Sequence, residues 1–300
     1  MRLTTLSRRK AGVFGTLGLL ILLLTFPLRA AGAASGGPSS GGPKPTIVLV
    51  HGGWADASSW DKVSRSLQDH GYTVIAPANP LRGGQYDSAY VSSVLETISG
   101  PIVLVGHSYG GVVTTNAATG NPNVKALVYI AAFAPDEGET VGQLLAMKPG
   151  SQAAPPNLTF RPYPGGVDVY ITPSAFHSVF CADLPARTAA AMAATQRPIA
   201  AAALSGPSGV PAWKTIPSWY LVASNDKAIP PATERFMAQR AGATTVEIAS
   251  SHVAMISHPT AVTDLIVDAA RAVDRRSPLA SADRLTSSYR SPLTHARRGR

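Results

Sequence analysis

Apolar residues fall along this chain in two rhythms. Short runs rich in Val, Ile and Leu occupy residues 46–50, 72–76, 102–105, 124–130, 219–223 and 244–248, and their length and β-branched content predict strands. Between them the apolar positions recur every three or four residues. Trp60, Val63 and Leu67 would share one helical face, with Ser58 and Asp61 reading as a capping box in front of it. The same spacing predicts helices over about 88–99, 111–119, 231–241 and 260–273. The strand runs are too continuously apolar to wet either face, so the expected architecture is α/β: a mostly parallel six-stranded sheet flanked by helices. Residues 133–217 break the alternation. They are rich in Ala and Pro, with a loop-like patch at 149–164 and an Ala-dominated helical patch at 187–204, and read as an inserted helical cap.

The ends of the chain have a different character. Arg2, Arg8, Arg9 and Lys10 precede an apolar stretch over 17–28 and the small residues Ala31-Gly32-Ala33, the order of a secretory signal peptide cleaved near Ala33. An uncleaved anchor is the alternative, and the only membrane attachment the sequence offers, but Gly12, Gly15, Gly18 and Pro27 dilute the segment as a span. Ser7-Arg8-Arg9 hints at twin-arginine export without the apolar pair that usually follows the arginines. The expected location is therefore secreted or in the cell envelope. Residues 34–45 are nearly all Gly, Ser and Pro, a linker, and the folded domain is expected over 46–276. The Ser- and Arg-rich stretch 277–300 reads as a disordered basic tail.

Composition and charge change this picture in two respects. The net charge of +9 would suit a polyanionic partner, but residues 34–276 carry 16 basic and 16 acidic side chains, so the excess lies at the ends. A neutral body lacks the electrostatic footprint of a nucleic-acid binder, and no nucleic-acid partner is expected. Cys181 is the only cysteine; no internal disulfide can form, and without a cysteine-hydrolase context it reads as a small buried residue.

Gly106-His107-Ser108-Tyr109-Gly110 follows one apolar run and opens a helical pattern, the strand-turn-helix context of a nucleophile elbow. The glycines suit a turn so tight that flanking side chains would clash. A serine hydroxyl is a weak nucleophile, so this reading needs a base, an orienting carboxylate and oxyanion donors elsewhere. Asp226 and His252 each follow a predicted strand, which in a parallel sheet puts them on the same rim as Ser108. Asp136 also falls on that rim, but the spacing of Asp226 before His252 places those two on adjacent strands. Among the other histidines, His295 is in the tail, His70 and His177 lack a strand end, His107 fills the elbow and His258 precedes Pro259. Backbone N–H groups of Tyr109 and of Gly53, in His51-Gly52-Gly53-Trp54, would form the oxyanion hole, with Trp54 beside the substrate.

Leu49 to Trp54, the GHSYGG string from Gly106, AAFAPDE from Ala131, NDKAIPP from Asn225 and Ser251-His252 together resemble the small α/β-hydrolases related to plant methylesterases and hydroxynitrile lyases. The resemblance covers roughly residues 46–273. It implies the α/β-hydrolase fold, Ser108, Asp226 and His252 as triad, Gly53 and Tyr109 as oxyanion donors, and a helical cap over a largely apolar pocket. The lyases of that group carry a Lys directly after the catalytic His, where this chain has Val253. The expectation is a carboxylesterase acting on a small-molecule ester, with no metal or organic cofactor. A lyase on the same triad and a triad-retaining binding protein are the rivals; nothing in the sequence sets acyl preference or oligomeric state.

Overall fold

The computed structural model of this protein describes residues 43–276, so the predicted signal peptide, most of the linker and the basic tail lie outside the described residues. Strand β1 (Thr46–Val50) is buried from Ile47 onward. After it, Asp56 caps a short 3-10 turn over Ala57–Trp60, accepting the Ser58 N–H at 2.8 Å. The expected capping box of Ser58 and Asp61 is therefore corrected: Ser58 lies inside that turn, and the donor needing a partner is its own N–H, which Asp56 reaches first. Helix α1 (Asp61–Asp69) buries Val63 and Leu67 as their spacing predicts. Strand β2 (Val74–Ile75) is shorter than its apolar run. Helix α2 (Gly84–Glu96) starts earlier than expected because Asp87 folds back onto the N–H groups of Arg82 and Gly83. Strand β3 (Ile102–Ser108), helix α3 (Gly110–Ala117) and strand β4 (Val124–Ala132) follow.

The insertion then departs from expectation. Helix α4 (Val141–Met147) is followed by strands β5 (Leu158–Tyr163) and β6 (Gly166–Ile171), helices α5 (Pro173–Phe180) and α6 (Ala186–Thr195), strand β7 (Ile199–Ala200) and helix α7 (Ala201–Ser205). β5, β6 and β7 pair as an antiparallel three-stranded sheet, so the cap is not purely helical. Its Pro-rich patch reads as loop because Pro162 cannot donate a ladder bond, yet β5 is an edge strand, where that omission is harmless. Pro198 divides the Ala-rich patch between α6 and β7.

The chain returns through β8 (Ser218–Ala223), α8 (Pro231–Arg240), β9 (Thr244–Ile248), α9 (Ala254–Ser257) and α10 (Pro259–Arg276). The main sheet has the order β2-β1-β3-β4-β8-β9, and every neighbouring pair is parallel. All seven residues of β3 are buried at its centre, while β9 closes one edge with exposed Thr244, Thr245 and Glu247. Because all strands point one way, the loops after β1, β3, β8 and β9 meet on one rim.

Candidate active site

Ser108 ends β3 with φ of 52°, in the left-handed region that a side chain rarely occupies. The turn is enforced by close packing. A Cβ on Gly110 would stand 2.4 Å from the Val50 carbonyl oxygen, and one on Gly106 would stand 2.6 Å from that of Gly110. Only glycine fits at either place, which lets α3 start directly behind the serine. The loop after β1 crosses just above: a Cβ on Gly52 would meet the Ser108 Cβ at 2.6 Å. Gly53 and Tyr109 line the same small cavity as Ser108. Among the described residues, no turn or loop hydrogen bond consumes either N–H, so both remain available to a developing oxyanion.

Buried hydrogen bonds hold that loop. The Asn79 N–H donates to His51 Nε2 at 2.9 Å, and His51 Nδ1 lies 2.9 Å from the Gly52 carbonyl. His51 is therefore a neutral ring protonated on Nδ1, and burial lowers its pKa to about 4. The Trp54 N–H donates to the Arg197 carbonyl and its indole Nε1–H to that of Val169, both at 2.9 Å, so the cap grips the loop from two sides. The Tyr109 hydroxyl donates to buried Asp87 at 2.7 Å; burial, then the Asp87 charge, push the phenol up, so it stays a donor.

On the far side of the rim, Asp226 Oδ1 accepts the N–H groups of Ala228 and Ile229 at 2.7 and 2.9 Å, and Oδ2 lies 2.5 Å from His252 Nδ1. An ionised carboxylate only accepts, so Nδ1 carries the proton and Nε2 presents a lone pair. The ring packs against His107 and Phe180, with centroids 4.8 and 5.2 Å away, and His107 Nε2 bonds the His252 carbonyl at 2.9 Å. Nε2 of His252 is buried and has no hydrogen-bond partner. The structure thus brings Asp226 and His252 into contact and sets Ser108 beside His107 on the same rim, without a hydrogen bond from its hydroxyl to His252. Such bonds commonly tighten only when substrate is bound.

Asp183, between α5 and α6, was not singled out by the sequence. Its carboxylate takes both the N–H (2.9 Å) and the hydroxyl of Ser251, tying the cap to the loop that carries His252. Burial opposes its charge, but those Ser251 bonds prevail and hold the carboxyl below its ordinary range. No spacing rule links residues 68 apart. Asp136 is elsewhere occupied, paired at the surface with Lys214 at 2.5 Å. Cys181 is buried, with its thiol pushed up to about 12 by desolvation. Among the described residues, no group of three His, Cys, Asp or Glu could hold a metal ion, and no helix is long and apolar enough to cross a membrane.

The cavity at Ser108 has a volume of about 30 Å³ and apolar walls that include Phe133, Leu145, Leu158, Ile199 and Ile229. Wider hollows of about 540 and 560 Å³ open elsewhere on the surface, but Ser108 lines neither. Leu145, Leu158 and Ile199, all from the cap, narrow the space at Ser108.

Comparison with known proteins places this geometry. A carbendazim hydrolyzing esterase from Nocardioides sp. (strain SG-4G) is 32% identical over 126 residues, which cover 38% of this chain and 50% of that relative; the match spans only half the relative's length. The fold resembles solved structures at low identity. Polyneuridine aldehyde esterase aligns with a TM-score of 0.65 at 20% identity, covering 75% of this chain and 99% of its own. A pyrethroid hydrolase from Sphingobium faniae JZ-2 aligns at 0.64 and 22%, covering 76% and 98%. A methylesterase from Arabidopsis aligns at 0.59 and 19%, covering 76% and 99%. The pattern of the alpha/beta hydrolase family matches residues 47–265, a span holding the elbow, the crossing loop and the Asp226–His252 pair, and the chain belongs to that family.

Proposed function

We propose that this protein is a serine hydrolase that cleaves small, largely apolar carboxylic esters through an acyl-enzyme on Ser108. The observation that carries the reading is the His252 ring: one nitrogen is fixed by Asp226, the other is buried with an unshared lone pair, and the strained serine ends β3 on the same rim of the sheet. As the Ser108 oxygen attacks the ester carbonyl, His252 Nε2 takes its proton, and Asp226 supports the imidazolium. The Gly53 and Tyr109 N–H groups receive the oxyanion. The carbonyl re-forms as the alkoxide leaves with the proton from His252. Water then repeats the steps on the acyl-enzyme, releasing the acid and restoring Ser108.

The apolar cavity supports an apolar acyl or alkyl group, in keeping with relatives named for hydrolysing carbendazim and pyrethroids. Val253, fully buried, supplies no cation after the base, which favours hydrolysis over cyanohydrin cleavage. The order of basic, apolar and small residues over 1–33 supports export.

The test is a panel of p-nitrophenyl esters of graded acyl length, with mandelonitrile as the lyase substrate. Ester turnover is expected, and Ser108→Ala should lower kcat by about 10⁴ to 10⁶. Cleavage of mandelonitrile without ester turnover would assign a lyase. Stoichiometric labelling by a fluorophosphonate without ester turnover would assign a binding protein.

A further inference from the structure

Glu234, in the first turn of α8, has a fully buried side chain. One carboxyl oxygen, Oε2, accepts the Ala223 N–H at 3.1 Å at the end of β8, just before the loop that presents Asp226. The other, Oε1, is buried without a donor, and the group within bonding range of Glu234 is the carboxyl of Asp226. Two ionised carboxylates in a dry site would repel and leave both sets of lone pairs facing each other. A single proton turns that contact into a hydrogen bond. Its location follows from the donors. Asp226 already receives the N–H groups of Ala228 and Ile229 and the imidazole N–H of His252, whereas Glu234 receives one backbone N–H. The anion is better stabilised on Asp226, so the proton belongs on Glu234.

We propose that Glu234 is a positioning residue of the triad, kept as a neutral carboxylic acid whose hydroxyl donates to Asp226. The inference rests on the reading of Asp226 as the acid that orients His252. Burial first, and then the Asp226 charge, push the Glu234 carboxyl well above its ordinary range. The surrounding groups do not reverse this. Tyr220 on β8 and Tyr129 on β4 are buried phenols held neutral by desolvation, and Arg235 on α8 is exposed and bonded to Glu247 at 2.5 and 2.8 Å. The extra donor fixes Asp226 and draws charge from the oxygens that support the imidazole.

Two measurements test this. The infrared carbonyl band of a buried, protonated carboxylic acid should be present in the wild type at neutral pH and absent from Glu234→Gln, a readout independent of turnover. Acidic limbs of kcat/KM against pH, read with p-nitrophenyl acetate, report the free enzyme's base. In Glu234→Met, where Asp226 loses a donor, the limb should move up by roughly half to one pH unit, and Glu234→Gln, whose amide N–H replaces the hydroxyl, should return it to the wild-type position. A missing band overturns the proposal, as does a downward move in both variants, which would mean an ionised Glu234. Limbs that stay put in both folded variants also overturn it, leaving Glu234 a structural residue only. Absence of wild-type ester turnover would instead count against the proposed function and leaves the infrared result to decide this inference.

Discussion

His252 Nδ1 and Asp226 Oδ2 lie 2.5 Å apart with both side chains wholly excluded from solvent. They come from loops after adjacent parallel strands, β8 and β9, and the carboxylate is itself fixed by the N–H groups of Ala228 and Ile229. One arrangement therefore sets both the tautomer of the imidazole and the direction of its free nitrogen. Asp226→Asn keeps the shape but removes the charge and the clear choice of tautomer, so kcat should fall by about 10⁴. Asp136→Asn breaks only a half-exposed ion pair with Lys214 and should leave kcat within about twofold and stability within about 1 kcal/mol. The reverse ranking in steady-state kinetics would move the acid to Asp136.

The crossing of the Gly52 loop over Ser108 yields a steric prediction. Gly52→Ala would place a methyl group 2.6 Å from the Ser108 Cβ and 2.9 Å from the His107 carbonyl oxygen, so loop or elbow must shift. Displacements near 1 Å at a reacting centre cost about 10²-fold, and at least that loss in kcat/KM is expected, together with a lower Tm. Gly84→Ala is the control, because the nearest atom would be 3.7 Å away; its stability should stay within about 0.5 kcal/mol. Equal behaviour of the two variants would show that the crossing is not tight.

His51 gives stability a pH dependence with a definite sign. Its pKa is lowered from 6.5 to about 4, chiefly by burial, so the folded state resists a proton that the unfolded chain accepts. Its contribution is complete above pH 6.5 and is lost as pH falls from about 6.5 to 4, up to roughly 3 kcal/mol. His107, also lowered by burial, acts in the same direction. Glu234, raised by burial, acts in the opposite one, favouring the fold at low pH and losing that contribution as pH rises. The clean comparison is therefore a difference: denaturant unfolding at pH 7 and pH 4.5 should show a smaller acid-induced loss for His51→Gln than for the wild type. Parallel losses would mean that His51 titrates normally in the fold.

Much of this arrangement is legible in the sequence because its signals are local. Each of the six apolar runs became a strand of the parallel sheet, and Gly106 and Gly110 announced a turn whose closeness the Val50 carbonyl explains. Contacts across the cap are less legible. Pro162 disguised an edge strand as loop, and Asp183 meets Ser251 across 68 positions, a pairing that depends on how the insertion folds back. Asn79 and Glu234 escaped notice for a different reason. Each is a common polar residue until burial makes its hydrogen bonds decisive.

The proposed chemistry requires that the hydroxyl of Ser108 become covalently acylated during turnover. Rapid acid quenching during p-nitrophenyl acetate hydrolysis, followed by peptide mapping by mass spectrometry, tests it most directly. An acetyl group is expected on Ser108, accumulating within one turnover and absent from Ser108→Ala. An adduct on another residue such as Cys181, or sustained ester hydrolysis by Ser108→Ala, would contradict it.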